Sequence, residues 1–249
     1  MKSINIIPMA GYGRRFSSLG YKLPKPLLLV NSKPMFITAT NCLPKADKNI
    51  FIYQSIFEKN FNIQKIINNH YRNNISLKVD YDTGGQACTC LKANDYLIDN
   101  QIISIGPCDS YFDYNQIEFK NKISKADLLV WTFKDKITSV KPEMYGWVKL
   151  TSKGIVERII CKEPISDNPS NDNALVGAFS FKNRSVFLNS INSVLKKNRR
   201  IKNEYYLDTV ADEAILLGYK VDFINTKTFY SFGTPVDYEK NKNFNSAEK

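Results

Sequence analysis

The sequence predicts an α/β fold, in which a mostly parallel but mixed sheet is flanked by helices and carries a small antiparallel insertion. Up to about residue 140, short apolar, β-branched runs alternate with segments of helical spacing, which is typical of strands joined by crossover helices. Beyond that point two apolar runs are separated only by the turn TSKG, which indicates a hairpin. A composition that is 43% hydrophobic and 12% aromatic suffices for a packed core.

The individual elements follow in chain order. The first part of the chain predicts strands over 4–8, 49–53, 76–81, 102–106 and 126–133, with helices over 34–43, 58–67 and 87–98. The second part predicts a hairpin of 145–150 with 155–162, a strand over 174–181, helices over 185–197 and 206–218, and a last strand over 219–225. Neither a repeat nor a linker divides the sequence, so we expect a single domain over residues 1–249.

Composition narrows the classes of protein. No apolar run approaches the roughly 20 residues that cross a bilayer, and the N-terminal run is too short for a signal peptide, so we expect a cytoplasmic protein without a membrane partner. Five cysteines without a CxxC pair, and the single histidine His70, argue against structural zinc and for reduced cysteines. The net charge of +11 suits an anionic ligand. We interpret the densest basic run, KKNRRIKN at 196–203, as a solvated helix end rather than a binding patch.

The stretch PMAGYGRRF, residues 8–16, directly follows the first predicted strand. Loops at the carboxyl ends of strands bind ligands in such sheets, and glycines there can present backbone amides to a phosphate. The dinucleotide pattern GxGxxG fails at Phe16, and the P-loop pattern GxxxxGK[ST] is absent. What remains is a GxGxR loop followed by Lys25 between two prolines. These residues alone leave two interpretations open, a phosphate-binding loop and a plain strand–turn–helix junction with surface arginines.

Taken together with GYKLPKPLLLVNSKPMF, this opening resembles the Rossmann-like nucleotidyltransferases that act on sugar 1-phosphates and related phosphorylated acceptors. Further segments resemble that family in the order in which the family has them. They are YDTGGQACTCLKA (81–93), GPCDSYFD (106–113), YGWVKL (145–150), CKEPIS (161–166), VGAFSF (176–181) and SFGTPVDY (231–238). The resemblance therefore extends over most of the chain.

The resemblance implies a nucleotide-binding part over 1–140 and an acceptor-binding part over 141–249. It assigns Arg15, Lys25 and Lys162 to catalysis. The nucleotide would contact Met9, Ala10, Gly11, Gly13, Arg14, Thr83, Gly84, Gln86 and Asp109, and the acceptor would contact Tyr145, Gly146, Lys162, Gly177, Glu204 and Tyr205. Arg14 stands where the family usually has a small residue, so it is either a second charge beside the triphosphate or a surface salt-bridge partner.

The resemblance also implies Mg²⁺, for which Mn²⁺ could substitute, with Asp109 as a ligand. Ser231 stands where the family often has a second aspartate. A second carboxylate must then come from elsewhere or be absent, and Glu204 is the first candidate, followed by Asp208 and Asp237. Mg²⁺ keeps several waters and needs only one or two carboxylates.

The family's reaction is attack by an acceptor phosphate oxygen on the α-phosphorus of a nucleoside triphosphate, with release of pyrophosphate. A phosphate monoester is largely dianionic at neutral pH, so no general base is required. Short members that resemble this chain are often cytidylyltransferases with acceptors such as phosphocholine or phosphoglutamine, and Cys161 replaces a family glutamate. We therefore expect CTP, and an acceptor that is a precursor for surface- or capsule-polysaccharide decoration.

Two alternatives stay open from the sequence. One is a sugar-1-phosphate uridylyl-, thymidylyl- or guanylyltransferase, and the other is a non-catalytic nucleotide- or RNA-binding module, for which the basic run and Ser231 would speak. Intact Arg15, Lys25 and Asp109 argue against the second alternative. We expect no specific nucleic acid partner, and the enzyme could act as a homodimer.

Overall fold

A computed structural model describes residues 2–245 and contains one nine-stranded mixed sheet with two small antiparallel sheets beside it. In chain order the strands are β1 (Lys2–Met9), β2 (Leu29–Val30), β3 (Lys33–Pro34), β4 (Lys48–Gln54), β5 (Asn74–Val79), β6 (Gln101–Ile105), β7 (Ser110–Asp113), β8 (Leu128–Phe133), β9 (Gly146–Leu150), β10 (Val156–Cys161), β11 (Asn173–Phe181), β12 (Val221–Asn225) and β13 (Thr228–Ser231). The helices are α1 (Arg14–Ser17), α2 (Met35–Thr40), α3 (Ser55–Phe61), α4 (Ile63–His70), α5 (Gln86–Leu91), α6 (Gln116–Ile123), α7 (Arg184–Lys196), α8 (Leu207–Leu216) and α9 (Pro235–Asn241).

The parallel part of the sheet has the order β6-β1-β4-β5. Ile6 of β1 pairs with Ile50 on one side and with Ile105 on the other, so the carboxyl ends of these strands meet at one edge. Strand β11 runs antiparallel to β6 and connects this part to the β9–β10 hairpin and to the parallel pair β8–β12. The predicted fold class, α/β with a mixed sheet and an antiparallel hairpin, is confirmed.

Both faces of the sheet are covered, which is why its central strands are apolar on both sides. Ile4 and Ile6 of β1 pack into a cluster with α7 and α8, whereas Ile7 and Met9 pack into a second cluster on the opposite face. A smaller third cluster, which includes the buried Phe16 and Phe232, holds α9 against the segment between β1 and α2, and the ring centroids of Phe16 and Tyr238 lie 6.0 Å apart. These contacts fix the loops that emerge at the carboxyl edge of the sheet.

Several boundaries differ from the sequence prediction. The helix predicted over 58–67 is divided into α3 and α4 because Asn62 adopts a left-handed conformation, with φ of 49°. The helix predicted over 87–98 ends at Leu91. Helices α6 and α9 and the short strands β7 and β13 were not predicted, since their apolar patterns are brief and their termini depend on local capping, such as the Asn115 side chain at α6.

The remaining expectations about the chain concern its cysteines and its extent. All five cysteines are free, and Cys42, Cys90 and Cys108 are buried, in agreement with the expected reduced state. Within residues 2–245 none of the helices combines the length and apolar character needed to span a membrane. The single domain over 1–249 stays a prediction, and its ends, Met1 and 246–249, lie outside the described residues.

Candidate active site

A cavity of about 410 Å³ opens at the carboxyl edge of the parallel strands. Three loops line it, and they follow β1, β5 and β6, as expected for an α/β sheet. We name the loop over 9–13 the first glycine loop and the loop over 82–86 the second glycine loop. Lys25 and Glu204, which come from outside the three loops, also reach the cavity.

The first glycine loop turns from β1 directly into α1. Gly13 has φ of 62°, and a Cβ at this position would lie 3.3 Å from the Cβ of Lys25. Glycine is therefore required both for the left-handed backbone and for the close approach of Lys25. The buried Gln54 side chain donates to the carbonyl of Ala10 at 2.8 Å and to that of Tyr81 at 3.2 Å, which ties this loop to the segment before the second glycine loop.

Lys25 and Asp109 form an ion pair in the cavity. The Lys25 Nζ lies 2.5 Å from Asp109 Oδ2, and the two side chains are 20% and 26% exposed. Burial of the Lys25 ammonium disfavours its charge, but the Asp109 carboxylate outweighs this effect and the pKa of Lys25 is raised above its usual value. Lys25 is therefore a permanent cation beside a carboxylate. Its backbone is set by Pro24 and Pro26 on either side, at the start of a 3₁₀ turn over Lys25–Leu27.

The strand pair β7–β13 positions Asp109 and Ser231 side by side. Ser110 pairs with Ser231, and the Phe232 amide donates to the Asp109 carbonyl at 2.8 Å. A Cβ at Gly233 would lie 3.3 Å from Asp109 Oδ2 and 3.4 Å from Ser231 Oγ, so the carboxylate and the hydroxyl approach the same point. Ser231, which stands where the family often has a second aspartate, thus lies beside Asp109.

The oxygen donors near Asp109 suit a magnesium ion that shares its coordination with water and phosphate. No group of three or more His, Cys, Asp or Glu side chains within residues 2–245 could hold a metal ion by itself. Asp109 provides one carboxylate, Ser231 a neighbouring hydroxyl, and the exposed Glu204 a second carboxylate on the same cavity. Since Mg²⁺ needs only one or two carboxylates alongside substrate phosphates, Asp109 and Glu204 could hold it together with a bound triphosphate.

The second glycine loop is held by its own side chains and by the segment before α8. Asp82 Oδ1 accepts from the Gly84 amide at 3.0 Å, and the hydroxyls of Thr83 and Thr89 lie 2.6 Å apart. Helix α5 begins immediately afterwards, at Gln86. Gly84 does not line the cavity itself, but its carbonyl accepts from the Tyr205 amide at 3.0 Å.

Three of the residues assigned to the acceptor, Tyr145, Gly146 and Lys162, lie together at the β9–β10 hairpin. Lys162 has φ of 63°, its Nζ donates to the Met144 carbonyl at 2.5 Å, and the Nζ lies 5.5 Å from the centroid of the Tyr206 ring. The carboxylate of Asp208 occupies the space beside Gly146, where a Cβ would collide with Asp208 Oδ2. Glycine at position 146 therefore makes room for a carboxylate from α8.

The side chains of Cys161 and Asp208 form a hydrogen bond next to Lys162. Burial raises the pKa of the Cys161 thiol, and the neighbouring Asp208 carboxylate adds to that increase. Burial also raises the pKa of Asp208, whereas the Lys162 charge and the hydrogen bond with Cys161 oppose the rise. Asp208 thus has its partners at the hairpin and is not among the residues that line the cavity.

The structure brings together most of the residues assigned to the nucleotide. Those that line the cavity are Met9, Ala10, Gly11, Gly13, Arg14, Lys25, Thr83, Gln86, Asp109 and Glu204. Those that do not are Arg15, Gly84, Tyr145, Gly146, Lys162, Gly177 and Tyr205. Lining residues that the sequence analysis did not assign to the site are Pro8, Tyr12, Pro26, Asp82, Gly85, Thr89, Pro107 and Cys108. The sequence carried a signal for two of these residues. Gly85 adjoins Gly84, and Cys108 adjoins Asp109.

Three of the residues predicted for the site, Arg14, Arg15 and Gly177, lie in or near the cavity. Arg15 is exposed, but its charge acts on Lys25. Arg14 lies over the ring of Tyr12, with 5.7 Å from its guanidinium carbon to the ring centroid. Gly177, with φ of 87°, occurs at an irregularity in β11, where a Cβ would lie 3.8 Å from Pro107 of the cavity lining.

Sequence comparison decides the family. The family model described as nucleotidyl transferase matches residues 4–230. The chain belongs to this nucleotidyl transferase family. The expected resemblance is thereby confirmed, and the cavity lies where the predicted nucleotide loops of this nucleotidyltransferase converge. No curated protein matches the chain significantly by sequence.

Solved structures share the fold of this nucleotidyltransferase at low sequence identity. A nucleoside-diphosphate-sugar pyrophosphorylase from Vibrio cholerae RC9 superposes with a TM-score of 0.78 at 18% identity, covering 96% of this chain and 99% of that one. The inositol-1-phosphate CTP transferase from T. maritima has a TM-score of 0.70 at 15% identity, covering 95% and 91%. A UTP-bound UGPase from Acinetobacter baumannii has a TM-score of 0.70 at 16% identity, covering 97% and 92%.

Proposed function

We propose that this nucleotidyltransferase transfers CMP from CTP to a phosphorylated small-molecule acceptor and releases pyrophosphate. The product would be an activated precursor for surface-polysaccharide decoration. The observation that carries the proposal is the Lys25–Asp109 ion pair in a cavity bordered by the first glycine loop. A fixed cation, a metal-binding carboxylate and free backbone amides are the groups that phosphoryl-type transfer requires, because its catalysis consists mainly of positioning and charge neutralisation.

Each group has a definite task in this scheme. The first glycine loop and Arg14 would hold the triphosphate, and Lys25 would stabilise the charge that develops as pyrophosphate leaves. Arg15, at the rim, would add positive charge to the same phosphates. Lys162, which donates to a backbone carbonyl and lies near a tyrosine ring and Asp208, would bind the acceptor phosphate. The acceptor oxygen needs no general base, since the phosphate is already largely dianionic at neutral pH.

Asp109 and Glu204 would hold Mg²⁺, or Mn²⁺ in its place, with the Ser231 hydroxyl near the same point. The bound ion would neutralise phosphate charge beside the reacting phosphorus. Asp109 is already engaged by Lys25, so Lys25 must exchange this carboxylate for a phosphate oxygen when the nucleotide binds. That exchange keeps the ammonium paired before and after binding.

The choice of CTP rests on the unusual acceptor cluster, in which Cys161 contacts Asp208. A CTP transferase occurs among the structural neighbours, in support of this choice. A sugar-1-phosphate acceptor with UTP, dTTP or GTP is the second candidate, since a UDP-glucose pyrophosphorylase complexed with UDP-glucose has a similar fold, with a TM-score of 0.73 at 17% identity.

We rank the RNA-binding alternative lower. Lys197 and Arg199 of the basic run form ion pairs with buried carboxylates of α8, so part of the positive charge there is neutralised inside the fold. The remaining surface charge predicts only weak, salt-sensitive binding to nucleic acid.

The deciding experiment incubates the purified protein with each of the four nucleoside triphosphates and a panel of phosphorylated acceptors, and measures pyrophosphate release. The panel includes phosphocholine, a phosphorylated amino acid and several sugar 1-phosphates. Turnover only with CTP and a non-sugar acceptor supports the proposal, and turnover with a sugar 1-phosphate and another nucleotide supports the second candidate. Tight RNA binding at physiological salt without turnover of any triphosphate would contradict both.

A further inference from the structure

The basic run at 196–203 begins at the exposed last residue of α7, Lys196, as a solvated helix end would, and then continues into a connection that crosses to the cavity. We name residues 198–205, between α7 and α8, the strap. Its anchor is Arg199, whose Nη2 lies 2.7 Å from Asp212 Oδ2 and whose Nη1 lies 2.5 Å from Glu213 Oε2. We name Asp212 and Glu213 the α8 carboxylates, and their side chains are 1% and 0% exposed. One guanidinium thus fastens the strap to two buried charges.

A tight turn directs the strap toward the second glycine loop. Ile201 and Glu204 exchange two backbone hydrogen bonds of 3.0 Å, and the residues between them, Lys202 and Asn203, have φ of 49° and 63°. Positive φ at both central positions is the geometry of a type I′ turn, which reverses the chain within two residues. The turn ends at Glu204, which lines the cavity.

The next residue, Tyr205, clamps the second glycine loop. Its amide donates to the Gly84 carbonyl and its carbonyl accepts from the Ala87 amide, each at 3.0 Å. A Cβ at Gly85 would lie 2.5 Å from the Tyr205 nitrogen and 2.6 Å from its carbonyl oxygen, so the two backbones touch. The loop therefore takes its shape from a segment that is more than 100 residues distant in the sequence.

The side chain of Tyr205 is fixed from within the strap as well. Its hydroxyl donates to Asn198 Oδ1 at 2.7 Å, and the guanidinium carbon of Arg200 lies 4.6 Å from its ring centroid. Asn198 itself has φ of 51°, which bends the chain out of α7 toward Arg199. The strap is thus fastened at one end to α8 and at the other to the loop that lines the cavity.

We propose that Arg199 is a positioning residue, which holds Tyr205 against the second glycine loop and thereby gives this loop the shape that binds the nucleotide. Arg199 itself does not line the cavity, so its effect passes through the strap. Because Glu204 lies on the same strap, the placement of this carboxylate depends on Arg199 too. This role depends on the proposed function only for the identity of the ligand that the loop binds. The shape of the loop itself can be measured without any substrate.

Removing Arg199 leaves each α8 carboxylate with other partners, so the protein should still fold. Asp212 keeps Arg158, whose Nε and Nη2 donate at 2.7 and 2.9 Å, and the Ile159 amide at 3.1 Å. Glu213 keeps Lys197 at 2.6 Å and the Ser193 hydroxyl at 2.7 Å. Arg158 supplies a matched control, because it binds the same Asp212 from β10 and has no place in the strap.

The test compares Arg199→Gln with Arg158→Gln by hydrogen–deuterium exchange of the ligand-free protein. Amides that depend on a local clamp exchange faster when the clamp opens. In Arg199→Gln we expect the amides of Ala87 and Tyr205 to exchange about tenfold faster or more, as loss of a charge-assisted hydrogen bond implies. In Arg158→Gln we expect the exchange rates of these two amides to be unchanged, while the melting temperature falls about as much as it does in Arg199→Gln. Equal exchange at both amides in the two variants would overturn the proposal.

Nucleotide kinetics supply the second measurement, with whichever triphosphate the wild-type protein turns over. Arg199→Gln should raise the KM for the nucleotide about tenfold with a smaller change in kcat, whereas Arg158→Gln should leave both near the wild-type values. Arg199→Lys, which keeps one charge, should recover part of the loss. An unchanged KM in Arg199→Gln would refute the positioning role. If no triphosphate is turned over by the wild type, the proposed function fails, and the exchange measurement still decides on the strap.

Discussion

Replacing Lys25 by methionine removes the cation from the cavity while it keeps an unbranched apolar side chain that is only one atom shorter. Lys25 is held 2.5 Å from Asp109, and both side chains are mostly buried, at 20% and 26% exposure. The variant therefore separates the charge of residue 25 from its packing. We expect the loss to affect catalysis far more than stability.

The expected losses of kcat and of stability can be estimated separately. Loss of one preorganised electrostatic stabiliser typically lowers kcat by about 10²–10³-fold. For stability, exposed ion pairs contribute up to about 1 kcal/mol and fully buried ones more, so a partly exposed pair should contribute roughly 1–2 kcal/mol. For a chain of this size, about 1 kcal/mol lowers the melting temperature by about 2–4 °C. The folded protein should thus persist while turnover falls by two orders of magnitude or more.

Pyrophosphate release under saturating nucleotide and acceptor gives kcat, and thermal unfolding gives the change in stability. Lys22→Met is the matched control, because Lys22 is an exposed lysine three residues away. It should change neither quantity appreciably. Turnover of Lys25→Met within a few-fold of the wild type, with Lys22→Met also normal, would remove Lys25 from the mechanism and with it the main support for the proposed chemistry.

Three further predictions follow from other parts of the structure. Arg15→Ala should abolish most turnover and Arg14→Ala should mainly raise the KM for the nucleotide; the reverse outcome would show that Arg14, which lines the cavity, takes the role assigned to Arg15. Turnover should depend strictly on Mg²⁺ or Mn²⁺, and Asp109→Asn should lose nearly all of it, while Glu204→Gln weakens the apparent metal affinity more than Asp237→Asn does; activity in excess chelator would contradict this. Burial alone would raise the pKa of the α8 carboxylates, but their arginine and lysine partners lower it, so their contribution to stability is complete above the unfolded-state pKa of about 4 and is lost as the pH falls through the lowered folded-state pKa. The melting temperature measured against pH should accordingly be level above about pH 5 and fall steeply below about pH 4, and a flat profile down to pH 3 would contradict it.

The sequence sufficed for those parts of the site that local pattern determines. Lys25, Asp109 and the first glycine loop lie at strand ends or next to prolines, and strand ends in a parallel sheet converge on one edge. The meeting of Asp109 with the first glycine loop could therefore be predicted without knowing any tertiary contact, whereas the assignment of Lys25 to the site came from the family resemblance. The same reasoning placed the β9–β10 hairpin around the turn TSKG.

The parts that sequence reasoning missed depend on contacts between distant segments. The strap resembles a charged helix end in the sequence, because nothing local shows that Arg199 faces two buried carboxylates. Tyr205 was assigned to the acceptor from motif similarity, whereas its described contacts are with the second glycine loop and with the strap. Gly146 was assigned in the same way, and in the structure it makes room for Asp208. Such roles follow from packing, which a single sequence does not specify.

The cations of the first fifty residues and those of the basic run at 196–203 have different surroundings. The first fifty residues contain a single acid, Asp47, and several of their cations, among them Arg14, Arg15 and Lys25, lie in or beside the cavity. In the densest basic run, by contrast, Lys197 and Arg199 form ion pairs with the α8 carboxylates. Positive charge is thus concentrated where a polyanionic small molecule would bind, and it is partly neutralised in the densest basic run. This distribution favours a nucleotide as the anionic partner of the protein, since a phosphate chain needs a few fixed cations in one cavity and not a long charged face.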